Sequence, residues 1–306
     1  MDTTEHTAFD SGGAMSDGLG MHREVALMCR VLGPIEVEVD GVPVELRGPR
    51  PRQLLAALSF AAGAPVSNDV LAEHLWGPAP LGQPGANVRV VVHRLRAALG
   101  PHAGRMLELD RCGYRFTLSP EHTDHGRFAE LVGAGQHALL DGHAAAAVDT
   151  LRAGLALWRG QPWVELGDSP ELRGARAKLT ELRELAIEEL QAARLADGDT
   201  AGAVAALREA VIQAPYRERR WELLVVGLFR SGRQADALAE LRKVRALLIE
   251  EVGVEPGPAL RELERRLLDH DPGLLLPDRS IRPATGRATA TLVRGFRTYP
   301  AGRRAS

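Results

Sequence analysis

A chain of 306 residues, 45% hydrophobic but only 4% aromatic, holds enough apolar material for two compact domains built from closely packed aliphatic helices. Its net charge of −2 excludes a surface coated in nucleic acid, yet the layout is uneven: residues 47–120 carry +5, residues 121–270 carry −5 and residues 271–306 carry +5, so a local anionic partner is expected. Cys29 and Cys112 stand alone, which excludes a disulfide framework and fits a reducing cytoplasm, and no apolar run is long enough to span a bilayer, so no membrane partner is expected.

Residues 1–24 are rich in Gly, Ser and acid and are expected to be a disordered segment. They have no basic start followed by an apolar run, so they are not read as a signal peptide, and Met15 and Met21 are alternative starts. From Val25 the pattern becomes that of strands. Residues 26–32 form one run, and Ile35-Glu36-Val37-Glu38-Val39 alternates with period two. Asp40-Gly41 turns the chain into Val42 to Leu46. Three helices are predicted next, over Pro51 to Ala62, Asn68 to Trp76 and Asn87 to Leu99, with Ser67 or Asn68 as a cap and Gly63 and Gly77 as stops. Residues 105–109 and 114–118, split by Asp110-Arg111-Cys112-Gly113, read as a hairpin.

After Pro120 helical periodicity runs to about residue 269. The stretch from Gly198 aligns with that from Gly232 at an offset of 34 residues, sharing Gly198/Gly232, Ala201/Ala235, Ala203/Ala237, Ala205/Ala239, Leu207/Leu241 and Arg208/Arg242. A third copy starts at Gly142, with Ala145, Ala147, Leu151 and Arg152 in matching places. Such a period is that of tetratricopeptide-like helical hairpins. The tail from Asp271 has seven arginines and no lysine and reads as a disordered basic extension. The expected architecture is therefore mainly α with small antiparallel sheets: an N-terminal winged helix-turn-helix over 25–120, an all-α tetratricopeptide-like domain over 121–270, and terminal segments 1–24 and 271–306.

The third helix carries the functional signal. At 100° per residue Val88, Val92, Leu95 and Leu99 share one stripe, and Val90, His93, Arg94 and Ala97 lie opposite, flanked by Arg89 and Arg96. Such a helix suits the major groove, where arginine bonds guanine bidentately and a small apolar group meets a thymine methyl. Solvated basic helix faces are common, so the helix alone does not decide. The following hairpin adds Arg111 and Arg115 beside Gly113-Tyr114. An arginine there can reach a narrow minor groove, and three helices followed by such a hairpin make a winged helix. Arg50 and Arg52, at the start of the first helix, can touch phosphates through their charge and the helix terminus, or simply be solvated.

Val92 to Leu99 followed by Gly113-Tyr114-Arg115-Phe116 resembles the OmpR/PhoB-type winged helix. Leu157-Trp158-Arg159-Gly160, residues 173–189 and Glu251 to Pro256 resemble the bacterial transcriptional activation domain. The pair, over residues 25–270, resembles the Streptomyces antibiotic regulatory protein family. That resemblance implies a pathway-specific activator of a secondary-metabolite (antibiotic) gene cluster. Its implied partners are double-stranded promoter DNA with direct repeats and RNA polymerase holoenzyme, with self-association on DNA. It implies that Arg94 reads a base, Val90 makes an apolar base contact, Arg96 contacts phosphate and Arg115 enters the minor groove. Asn87 and Arg89 occupy contacting positions, while His93 and Val91 depart from the usual residue types. The Gly77 to Gly85 loop corresponds to the polymerase-contacting loop. Twenty-four residues ahead of the winged helix are too few for a receiver domain.

No enzyme is expected. His74, His93, His102, His122, His125, His137 and His143 show no metal-ligand spacing, and no G-x-x-x-x-G-K-[ST] loop exists, Lys178 and Lys243 being the only lysines. No nucleophile elbow occurs, so neither metal nor cofactor is expected. Trp158, Trp163 and Trp221 read as packing residues in preference to a ligand surface. The competing reading is a helical-repeat adaptor whose N-terminal domain binds protein; the basic helix face and wing arginines favour DNA.

Overall fold

A computed structural model describes residues 26–78 and 83–276. The segment 1–24, most of the tail 271–306 and the middle of the Gly77 to Gly85 loop lie outside the described residues.

Period-two alternation builds the first sheet. β1 (Leu27–Arg30), β2 (Glu36–Val39) and β3 (Val42–Pro43) are antiparallel in the order β1-β2-β3. The register sets Leu27 opposite Val39 and Cys29 opposite Val37, and Leu27, Cys29 and Val37 are buried. Asp40 and Gly41 both take positive φ at the turn, as a tight hairpin requires. β3 is shorter than its pattern suggests: Pro43 has no N–H to give the ladder, and the chain leaves the sheet after Val44 donates to the Val37 carbonyl.

Three helices follow: α1 (Pro49–Phe60), α2 (Asn68–Trp76) and α3 (Pro84–Ala103). Ser67 caps α2 by accepting the Val70 N–H at 3.3 Å. The φ of 79° at Gly100 interrupts α3, so its regular part ends near Leu99. β4 (Leu107–Asp110) and β5 (Gly113–Phe116) form the hairpin. Val66, between α1 and α2, pairs with Tyr114 through two backbone hydrogen bonds of 2.7 and 2.9 Å. Position 113 must be glycine for this contact, because a Cβ there would lie 1.9 Å from the Val66 carbonyl oxygen.

The remaining helices are α4 (Asp124–Leu140), α5 (Ala144–Leu155), α6 (Pro170–Asp197), α7 (Thr200–Gln213), α8 (Glu218–Arg230), α9 (Gln234–Leu247) and α10 (Pro258–Leu268). They pair as hairpins α4/α5, α6/α7 and α8/α9. Gly142, Gly198 and Gly232 stand at the three hairpin turns with φ of 78°, 93° and 72°, a left-handed stop that favours glycine. The repeat identities divide by face. Ala147, Ala203 and Ala237 are fully buried with Leu151, Leu207 and Leu241, whereas Ala201, Ala235, Arg208 and Arg242 are exposed. Between α6 and α8 the buried Arg220 donates to the Ala210 carbonyl at 2.8 Å and pairs with Glu184 and Glu188.

The break in the helical run, residues 156–169, docks on the N-terminal sheet. The N–H groups of Arg159 and Gly160 donate to the Leu32 carbonyl at 2.7 and 3.1 Å, and that of Trp163 to Val31 at 3.0 Å. Glu165 accepts the Ile35 N–H at 2.6 Å, and Arg159 reaches the Pro34 carbonyl and Glu36. Trp163 Nε1 donates to Ser59 on α1 at 3.2 Å. One hydrophobic core consequently runs from Leu27 through the three-helix unit into α4, α5 and the first part of α6. A second core gathers the end of α6 with α7 to α10 and Leu274. Residues 271–276 thus belong to the folded unit, since Leu274 is buried and Arg230 donates to the carbonyls of Leu274 and Leu276.

Candidate nucleic-acid interface

α3 has one buried and one open side. Val88, Val91, Val92, Leu95 and Leu99 face α1 and α2 and are buried; Val91 therefore belongs to the core. Asn87, Arg89, Val90, His93, Arg94 and Ala97 face solvent. Val90 is 52% exposed, an apolar group on a polar face that the packing does not use. Among the described residues Arg89 and Arg94 have no hydrogen-bond or ion-pair partner, so their donors are free for an external acceptor.

The two flanking arginines behave differently. Arg96 is half-buried, and its Nε and Nη2 both donate to the Leu107 carbonyl at 3.1 and 2.5 Å. The expected phosphate contact meets a guanidinium already occupied by the root of β4. Arg115 lies opposite Glu108 in the β4–β5 register and donates to it through Nε at 2.8 Å, with Asp110 3.8 Å away. The expected minor-groove arginine is thus held within its own hairpin. Arg111 sits exposed at the turn beside Cys112, with no partner among the described residues. The tip cation of the wing is Arg111.

Arg50 and Arg52 also part company. Arg50 donates to Gln53 at 3.0 Å, sits 5.7 Å from the Trp76 ring centre and lines a cleft toward Glu165 and Asp168. Arg52 is exposed. The helix terminus adds less than its position suggests, because Pro49 and Pro51 supply no N–H. Between α3 and the wing runs a groove of about 750 Å³ lined by His93, Arg96, Ala97, Arg105, Glu108 and Leu109.

The tryptophans serve packing. Trp163 and Trp221 are buried, and Trp158 meets Phe128 edge-on with ring centres 5.5 Å apart. Sequence reasoning missed the inter-domain group around them. Asp124 accepts the N–H groups of Val31 and Leu32 at 2.8 and 3.0 Å, and burial raises its pKa against the pull of those two bonds and of Arg159. Burial lowers the pKa of His125 to about 4, so the ring is neutral at pH 7. Burial also pushes the Cys29 thiol up, followed by the charges of Asp124 and Glu165. Among the described residues no group of three His, Cys, Asp or Glu side chains could hold a metal ion, and no helix is long and apolar enough to cross a membrane.

Comparison with known proteins places both halves. A family described as "Transcriptional regulatory protein, C terminal" matches residues 42–116, and one described as "Bacterial transcriptional activator domain" matches residues 123–268. The chain is 37% identical over 270 residues to transcriptional regulator RedD of Streptomyces coelicolor, covering 86% of this chain and 76% of RedD. It is 30% identical over 256 residues to regulatory protein DnrI of Streptomyces peucetius, covering 81% of this chain and 94% of DnrI. A solved structure of Mycobacterium tuberculosis EmbR, in complex with a low-affinity phosphopeptide, superposes with a TM-score of 0.72 at 32% identity, covering 89% of this chain and 70% of that one.

Proposed function

The chain belongs to the Streptomyces antibiotic regulatory protein family, and we propose that this transcriptional regulator is a sequence-specific, cytoplasmic activator of a secondary-metabolite gene cluster. In this reading it binds direct repeats near promoters and recruits RNA polymerase. The observation that carries the reading is the open side of α3, where Arg89 and Arg94 are unpartnered beside the exposed Val90. Arg94 reads a base edge, Val90 packs on a thymine methyl, and Asn87, Arg89 and His93 complete the major-groove surface. Arg111 at the wing tip enters the adjacent minor groove, and Arg52 contacts phosphate.

Direct repeats call for two copies side by side on one face of the duplex. The shared core between the winged helix and α4 to α6 supports a role for the helical domain in this arrangement, because whatever it binds reorients α3 with it. The test is a titration of promoter DNA from the chain's own gene cluster at increasing salt. Phosphate contacts predict affinity that falls linearly on a log–log plot. Affinity independent of salt, or equal for promoter and unrelated DNA, overturns the proposal.

A further inference from the structure

Three arginines of α3 lie within eight residues, yet only one is spent inside the protein. Arg89 and Arg94 are open, whereas Arg96 turns two donors of its planar guanidinium onto the single carbonyl of Leu107. That carbonyl opens β4. The chain between them turns so tightly that a Cβ at Gly104 would lie 2.9 Å from the Arg96 carbonyl oxygen. Leu107 and, across the ladder, Phe116 are buried, and the Thr117 N–H closes the hairpin on the Met106 carbonyl at 3.0 Å. The root of the wing is thus tied to α3 by a charge-assisted bond, stronger than a neutral one.

We infer that Arg96 is a positioning residue, which sets the angle between recognition helix and wing and leaves the phosphates to other side chains. The inference rests on the DNA-binding reading above. Its mechanism is geometric: a wing tip aims into a minor groove only if its root holds a fixed stance relative to the helix in the major groove. Lysine keeps the charge of Arg96 but not its planar pair of donors; glutamine keeps a donor but not the charge. The two substitutions therefore separate a phosphate contact from a backbone clamp.

The experiment compares wild type with Arg96→Lys and Arg96→Gln in two measurements. The first is hydrogen exchange of the wing amides in the DNA-free protein; the second is the salt dependence of promoter binding. A clamp predicts faster exchange over residues 107–116 in both variants. It also predicts that both bind more weakly, by about tenfold, the loss of one charge-assisted bond, with the wild-type salt slope. A phosphate contact predicts unchanged exchange, near-normal binding by the lysine variant, and a slope reduced by about one in the glutamine variant; that result overturns the inference. Failure of the wild type to bind DNA at all refutes only the DNA-binding reading. Exchange then decides the clamp alone, with unchanged wing amides sinking it.

Discussion

The carboxylate of Asp124, in the first turn of α4, accepts the backbone N–H of Val31 at 2.8 Å across the join between the two halves of the chain. Its other oxygen takes the Leu32 N–H at 3.0 Å. Both donors are buried and leave the sheet where β1 ends, so no strand can satisfy them. Replacing Asp124 with Ala strands two N–H groups, and the expected cost is at least ~2 kcal/mol, read as a lower urea midpoint. An unchanged midpoint would show that the join contributes little. Asp124→Asn should fall between, since the amide retains one acceptor oxygen.

His125 gives the same junction a pH dependence. Burial lowers its folded pKa from 6.5 to about 4, so between those values the unfolded chain binds more protons than the native one. Stability from this group is present above pH ~6.5 and falls toward pH 4 by up to about 1.4 kcal/mol per unit. The raised pKa of Asp124 acts in the opposite sense above its ordinary value, since there the native state holds the extra proton. Urea unfolding of His125→Gln against wild type isolates the histidine: the variant should lose less stability on acidification. Parallel curves would place His125 in contact with water.

Gly113 is the narrowest point of the wing. A Cβ would meet the Val66 carbonyl oxygen at 1.9 Å, at a φ of 142° that L side chains rarely adopt. Gly113→Ala should detach the hairpin from Val66 and cost ~3 kcal/mol or more. Gly41→Ala is the comparison. Its φ of 77° is also positive, in the left-handed region, but nothing lies within 4 Å, so the penalty should stay at ~1–2 kcal/mol. Equal losses in thermal unfolding would mean that backbone strain, not the Val66 contact, governs both positions.

Much of this was legible in the sequence because it depends on local periodicity. The buried side of α3 follows from Val88, Val92, Leu95 and Leu99, and the hairpin stops from Gly142, Gly198 and Gly232, each a local requirement of helix packing or helix termination. The arginines were not so readable. Arg89, Arg94 and Arg96 look alike along the chain. What separates them is a backbone carbonyl eleven residues on, brought under Arg96 by the turn at Gly104. Arg115 is likewise defined by strand register, which sets Glu108 opposite it. Residues 156–169 fall inside the helical run read after Pro120, yet form no helix; only the folded sheet supplies the carbonyls of Val31 and Leu32 that hold them.

The Glu108–Arg115 pair sets up a gain of function. Both side chains are nearly half exposed, so the pair is worth little to stability but keeps a carboxylate beside the groove where phosphate would pass. Glu108→Gln should change the free energy of unfolding by no more than about 0.5 kcal/mol. It should tighten promoter binding several-fold and steepen the salt slope by about one as Arg115 is released. Weaker binding by this variant would mean that the pair shapes the wing more than it restrains it.

In the proposed function the open side of α3 reads base edges, with Arg94 foremost. The most direct measurement is selection of binding sites from randomised duplexes by wild type and by Arg94→Ala. Arg94→Ala is expected to relax preference at one base position, with ~1–3 kcal/mol of discrimination lost there and the rest of the site retained. An identical selected sequence for both proteins would contradict it, because the side chain facing the groove would then carry no information.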